Sequence, residues 1–212
     1  MNVSLAMRLV GSEAHRAERA SEYGPRGLTV VSSAIGQAYA PLRPGTVRAV
    51  GESIDPGVNI GHVHLKVADL DRALAFYRDI LGFEEKQRMG DQAAFLAAGD
   101  YHHHIGLNTW ESKGGSPPPP GTTGLYHVAV RYPSRAALAD ALKRLVEAKV
   151  PLSGASDHGV SEAIYLHDPD GNGIELYRDR PREEWPMAPD GKGVAMVSVP
   201  LDLNALLAEA DA

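Results

Sequence analysis

The sequence predicts an α+β fold of two paired βαβββ modules, and three observations carry that prediction. Residues 58–67 (VNIGHVHLKV) alternate apolar and polar side chains and run straight into an amphipathic, capped helix. The same strand-then-helix order returns after a proline-rich break. The two copies keep a constant offset: His62 plus 65 is His127, and Asp69 plus 65 is Ser134, so one helix cap maps onto the other. Repetition of one supersecondary unit in register is the signature of a duplicated module.

The elements follow in order. Residues 1–57 show no sustained period and carry Pro and Gly throughout (GPRG, PLRPG, DPG), which reads as a partly disordered N-terminal extension. Module one spans 58–112. After its first strand, Asp69 caps a helix over DLDRALAFYRDILG, with Leu70, Ala73, Leu74, Tyr77, Ile80 and Leu81 on one face and Gly82 placed to end it in the left-handed conformation. Two or three short strands follow, over FEEKQRM, QAAFLAA and HHHIGLNTW, separated by turns at Gly90-Asp91 and Gly99-Asp100. Residues 111–121 (ESKGGSPPPPG) form a linker, because prolines favour extended backbone and lack the N–H that sheet pairing needs. Module two, residues 122–181, repeats the pattern: GLYHVAVRY, a helix capped by Ser134, then strands at PLSGASDH, EAIYLHD and GIELYRD. A C-terminal tail, 182–212, ends in a short amphipathic helix (LDLNALLAEA) that packs on the sheet or on a neighbouring subunit.

Composition narrows the function. The 212-residue chain is 43% hydrophobic and carries a net charge of −6 with no basic stripe, so nucleic acid is not an expected partner. No apolar run reaches the roughly 18 residues of a membrane span, and the N-terminus lacks the basic start of a signal peptide. The absence of cysteine excludes disulfides, thiolate metal sites and Cys nucleophiles, and fits a cytoplasmic location.

Strand parity places the candidate site. Val63, Leu65 and Val67 face the helix of module one, which puts His62, His64 and Lys66 on the opposite side. In module two Val128 and Val130 face inward and His127, Ala129 and Arg131 outward. Glu175 sits between Ile174 and Leu176, so it too leaves the core face, and a carboxylate among apolar neighbours needs a partner. If the two sheets close together, His62, His127 and Glu175 meet in one metal-binding cup. Two imidazoles and one carboxylate leave open positions on a divalent metal and suit non-haem Fe(II), with Mn(II) as the nearest substitute.

These residues carry a resemblance. HVHLKVADLDRALAFYRDILGF and IYLHDPDGNGIELYRD resemble the opening and closing segments of the vicinal oxygen chelate superfamily, which includes glyoxalase I, fosfomycin and bleomycin resistance proteins, methylmalonyl-CoA epimerase and the type I extradiol catechol 2,3-dioxygenases. The resemblance covers residues 58–181. A glyoxalase-like site would want a second carboxylate from the last strand of module one, where HIGLN offers Ile105 or Gly106 instead. The extradiol dioxygenases resemble the chain further. Their His-His pair implies His103 as acid/base, a residue that strand parity puts on the face of Ile105 and Leu107. Their module-two histidine and tyrosine correspond to His158 and to Tyr165, ten residues before Glu175. The resemblance thus implies an Fe(II)-dependent, meta-cleaving dioxygenase that takes a small aromatic diol and O2. With room for one paired domain, substrate enclosure falls to the extension, the tail or a second subunit, and a homo-oligomer is expected. Two alternatives stand beside it, a metal-dependent glyoxalase-like lyase or isomerase and a non-catalytic small-molecule binding protein. His64 faces the cup as a further substrate contact, His102 and His104 are read as surface groups or as groups that support the site from behind its ligands, His167 as a solvated turn residue, and His15 has no assigned role.

Overall fold

In a computed structural model of the chain, the described residues run from 53 to 211. The chain divides into two compact units, 1–58 and 59–212. Of the first, only 53–58 are described: an exposed run with one turn, in which the Val58 N–H donates to the Asp55 carbonyl at 3.0 Å. The expected disorder of the N-terminal extension otherwise lies outside the described residues, as does His15.

The second unit holds two mixed sheets. The first joins β1 (Val63–Lys66), β4 (Ile105–Asn108), β3 (Ala93–Ala97) and β2 (Glu84–Met89) in the order β1-β4-β3-β2, with β1 and β4 parallel. The second joins β5 (Val128–Arg131), β8 (Gly173–Asp179), β7 (Ser161–His167) and β6 (Leu152–Asp157), with β5 and β8 again parallel. The expected four strands per sheet hold for the first sheet only. The tail adds a fifth strand to the second, β9 (Val199–Pro200), whose residues pair with Asp157 and Ser156 of β6. β6 would otherwise be an edge with free amides, and Pro200, having no N–H, ends the extra pairing at once.

Local chemistry sets the helices. α1 (Leu70–Leu74) starts where the Asp69 carboxylate accepts the Arg72 N–H at 3.0 Å. It continues as a π-helix, Ala75–Ile80, in which Leu81 N–H reaches back to the Phe76 carbonyl and both Phe76 and Tyr77 are buried. Gly82, at φ +86°, ends it as its sequence position predicts. α2 (Arg135–Glu147) is capped by the Ser134 hydroxyl on Ala137 N–H at 3.1 Å and buries Leu138, Ala139, Leu142 and Leu145.

One core joins the two modules. Leu65, Val67, Leu74, Leu96, Ile105 and Leu107 from module one lie in the same cluster as Leu142, Leu145, Ile164, Ile174 and Leu176 from module two. The DPDGN turn locks them together. The Asp168 carboxylate accepts its own turn's Asp170 and Asn172 amides and, at 2.9 Å, the hydroxyl of fully buried Tyr77 in module one. Asp170 accepts the Ala68 N–H at 3.0 Å and pairs with Arg72 at 2.5 Å.

The tail packs on its own chain. α3 (Leu203–Leu207) puts Leu206 into the core. Buried Glu162 pairs with Arg135, Arg178 and Arg180, and Arg135 in turn pairs with Glu209 beyond α3. A carboxylate buried this deeply is tolerated because several guanidinium donors satisfy it.

Candidate active site

The alternation read from the sequence holds on both first strands. Leu65 and Val67 are buried while His62, His64 and Lys66 are exposed, and Val128 and Val130 pack on the core while Ala129 and Arg131 do not. On β8, Ile174 and Leu176 are buried and Glu175 turns to the other face.

Glu175 is the centre of the module-two group. Its side chain is 14% exposed, and its Oε2 lies 3.0 Å from His127 Nε2. Its Oε1 accepts the Tyr165 hydroxyl at 2.9 Å. The contact with Tyr165 follows from register, since Tyr165 of β7 sits directly opposite Glu175 of β8. Burial first, then the hydrogen bond to Glu175, pushes the Tyr165 phenol well above the ordinary tyrosine range, so it stays a donor. The Tyr165 oxygen is also 2.8 Å from Nε2 of His158, which lies in the β6–β7 turn.

Module one contributes a second group. The rings of His62 and His103 lie 4.5 Å apart, and His103 also touches Phe95 at 5.1 Å. Strand parity would set His103 on the face of buried Ile105 and Leu107; the structure overturns that. Pairing in β4 begins only at Ile105, residues 101–104 bend, and the bend carries His103 round to the face of Phe95 and His62. His102 Nδ1 stands 2.7 Å from His103 Nδ1. Burial, with His62, His102, His64 and His104 close by, holds the His103 imidazole below its ordinary value, which keeps it able to accept a proton near neutrality. His104 accepts the Ala98 N–H at 3.3 Å through its ring. His167 is exposed at the end of β7, its Nδ1 3.0 Å from the Ser153 hydroxyl.

The register also decides what stands at the Glu175 position of module one. His64 pairs with Gly106 as Ala129 pairs with Glu175, so the residue is Gly106 and not Ile105. The His64 ring lies over that glycine, 2.9 Å from where a Cβ would be, and meets Phe95 and Trp110 at 5.8 and 5.4 Å.

The structure therefore brings His127, Glu175, Tyr165 and His158 together, and His62 with His103. Among the described residues, no three His, Asp or Glu side chains form a cluster able to hold a metal ion. Two of the three candidate ligands do converge, and their chemistry fits a divalent cation. Among the described residues, the largely buried Glu175 carboxylate has no Arg or Lys partner and the buried Nδ1 of His127 has no hydrogen-bond partner. A buried carboxylate with only a phenol and an imidazole beside it is a site that a cation would stabilise. Two features had no sequence signal strong enough to name them: Phe95, whose alternation with buried Ala94 and Leu96 turns it to the cup, and Val197, whose main chain reaches His158.

Comparison with known proteins bears on the family and the fold. The family model for the Glyoxalase/Bleomycin resistance protein/Dioxygenase superfamily matches residues 59–176. A catechol-2,3-dioxygenase of Bacillus subtilis is 40% identical over 159 residues, 74% of this chain and 54% of that protein. A manganese-dependent 2,3-dihydroxybiphenyl 1,2-dioxygenase of Geobacillus genomosp. 3 is 30% identical over 136 residues, 62% of this chain and 39% of that protein. The chain thus spans about half or less of the length of these two relatives. The crystal structure of a glyoxalase/dioxygenase from Nostoc punctiforme superposes with a TM-score of 0.51 at 23% identity, over 62% of this chain and 99% of that one, which supports the α+β fold of paired modules.

Proposed function

The chain belongs to the Glyoxalase/Bleomycin resistance protein/Dioxygenase superfamily, and from that premise we propose that it is an extradiol, meta-cleaving dioxygenase. It takes a catechol-type diol and O2 and inserts both oxygen atoms across the ring bond beside the diol, giving a ring-opened semialdehyde. The observation that carries this reading is Glu175, a mostly buried carboxylate held between His127 Nε2 at 3.0 Å and the Tyr165 hydroxyl at 2.9 Å. The similarity to a catechol-2,3-dioxygenase over 74% of the chain supports it.

His62, His127 and Glu175 would hold the metal, Fe(II) or alternatively Mn(II), the metal in the name of one relative. When bound, the metal supplies Lewis acidity toward the diol and an electron path to oxygen. His103 takes a proton from the diol and returns it later, a task suited to an imidazole kept neutral by its surroundings. Tyr165 donates a hydrogen bond to the developing oxyanion, since a protonated phenol in a partly buried site stabilises charge more than water does, and His158, with its Nε2 2.8 Å from the Tyr165 oxygen, orients that phenol. Phe95 and Trp110 give the cup an apolar wall for the ring. Gly106, at the position of Glu175, withholds a second carboxylate, which favours this chemistry over a glyoxalase-like one.

The enzyme acts in the cytoplasm as a homo-oligomer. Exposed Ile60, Leu125 and Tyr126, just ahead of the two first strands, give the assembly apolar surface. The test is to purify the chain without oxygen, load Fe(II) or Mn(II), and add a panel of catechols with O2. Oxygen uptake with a yellow product is expected. No uptake with either metal across the panel overturns the proposal.

A further inference from the structure

The tail after module two reaches the candidate site. The Val197 N–H donates to the His158 carbonyl at 3.1 Å, and the Val197 carbonyl lies 2.7 Å from His158 Nδ1. The family match ends at residue 176, so these contacts come from chain beyond it. Several bonds hold the segment in place. Ala195 N–H donates to the Pro186 carbonyl at 2.8 Å, Met187 bridges to Val194, and Val199–Pro200 pairs with β6. Gly159, at φ +75°, sits beneath it. A Cβ there would come 3.0 Å from Pro186 Cγ and 3.3 Å from Val197 Cγ2. The left-handed backbone and the missing side chain together let the tail close on His158.

Donor counting gives this contact a consequence. A carbonyl oxygen only accepts, so His158 Nδ1 must carry a hydrogen. In a neutral ring Nε2 is then a lone pair, and it faces the Tyr165 oxygen at 2.8 Å. The single Tyr165 hydrogen therefore meets two acceptors, His158 Nε2 and Glu175 Oε1 at 2.9 Å. With the opposite tautomer, Nε2–H would donate to the Tyr165 oxygen, and the phenol could donate only to Glu175.

We propose that Val197 is a positioning residue: its main-chain carbonyl fixes His158 in the Nδ1–H tautomer and so leaves the Tyr165 proton free to turn between Glu175 and His158. The effect on turnover rests on the dioxygenase reading; the tautomer does not. A ring N–H given to a backbone carbonyl is a general device for fixing imidazole orientation and basicity.

The experiment is a two-bond proton–nitrogen correlation spectrum of the metal-free full chain with 15N-labelled histidine, at a pH where the ring is neutral and with the signal assigned by His158→Gln. A protonated Nδ1 and bare Nε2 are expected. An Nε2–H form, or rapid averaging of both, overturns the proposal, whatever the activity. Val197→Pro removes the amide that holds the segment to His158. In that variant His158 averages between tautomers, and kcat falls about tenfold with KM changed less than about twofold. Val197→Pro that stays folded with the tautomer unchanged also overturns the proposal; if it does not fold, Gly159→Ala gives the same reading. A fixed tautomer in a chain that turns over no catechol leaves this inference standing and removes the dioxygenase reading.

Discussion

The two modules share a backbone plan and differ at the positions that matter for chemistry. The parallel pairings equate His64 with Ala129 and Gly106 with Glu175, and the antiparallel ones equate Phe95 with Tyr165. Module two thus carries a carboxylate and a phenol where module one carries a glycine and a phenyl ring. His64 leans into the space that a carboxylate would fill. The two sheets match in plan and differ at these two cross-strand positions, the polar groups of module one being instead the imidazoles of His62, His64 and His103. Only the first strands kept a histidine in both halves, at His62 and His127.

Breaking that asymmetry should be felt most at the carboxylate. Glu175→Ala is expected to lower metal retention and oxygen uptake by more than about 100-fold, read by metal analysis and an oxygen electrode. Gly106→Ala, at the matching position, should leave metal retention within about twofold. Equal loss from both would mean the halves are not specialised as argued. Tyr165→Phe copies module one's phenyl into module two, and kcat should fall about 10–100-fold with metal retained. Steady-state kinetics with matched metal analysis separates the two outcomes.

Stability sharpens the comparison on a smaller scale. A Cβ at Gly106 would come 2.9 Å from the His64 ring, so Gly106→Ala should cost about 1–3 kcal/mol in urea unfolding. A His64→Ala background should relieve it, with a coupling of about 0.5 kcal/mol or more. Tyr77→Phe, which strips the one phenol that ties module one to Asp168, should cost about 1–3 kcal/mol. Alkaline pH gives the mildest test. Burial, first among the causes, raises the phenols of Tyr77, Tyr165 and Tyr132, the last to about 12. A raised folded pKa means that the unfolded chain ionises first, at about 10. Their stabilisation is therefore complete below about pH 10 and lost as pH climbs through the folded values. Tyrosinate absorbance and urea midpoints across that range should show late ionisation with falling stability.

Much of this was legible in the sequence because strand parity and helix caps are local. The offset of 65 located both first strands, and alternation around Glu175 set its face. Tyr165 came from the ten-residue spacing that the family resemblance implies, and its physical basis is the register of two neighbouring strands, which sets it opposite Glu175. What escaped was non-local or irregular. Parity fails at His103, where the chain bends before β4 begins. The π-helical turn at Ala75–Ile80 obeys no apolar period that differs visibly from an α-helix. Whether Ile105 or Gly106 answers Glu175 depends on which partners pair across the sheet, a fact that spacing alone leaves one residue ambiguous. Val197 acts through its main chain, so no side-chain motif marks it.

The anchoring of the tail bears on how such chains are trimmed. Leu206 is fully buried, Glu209 pairs with Arg135, and Val197 grips His158. A fragment cut where the family similarity stops would keep every side chain assigned to chemistry, yet lose a plug from its interior and the acceptor that orients one of its imidazoles. Recombinant boundaries drawn from homology would then yield an impaired product and misdirect blame onto the residues that remained.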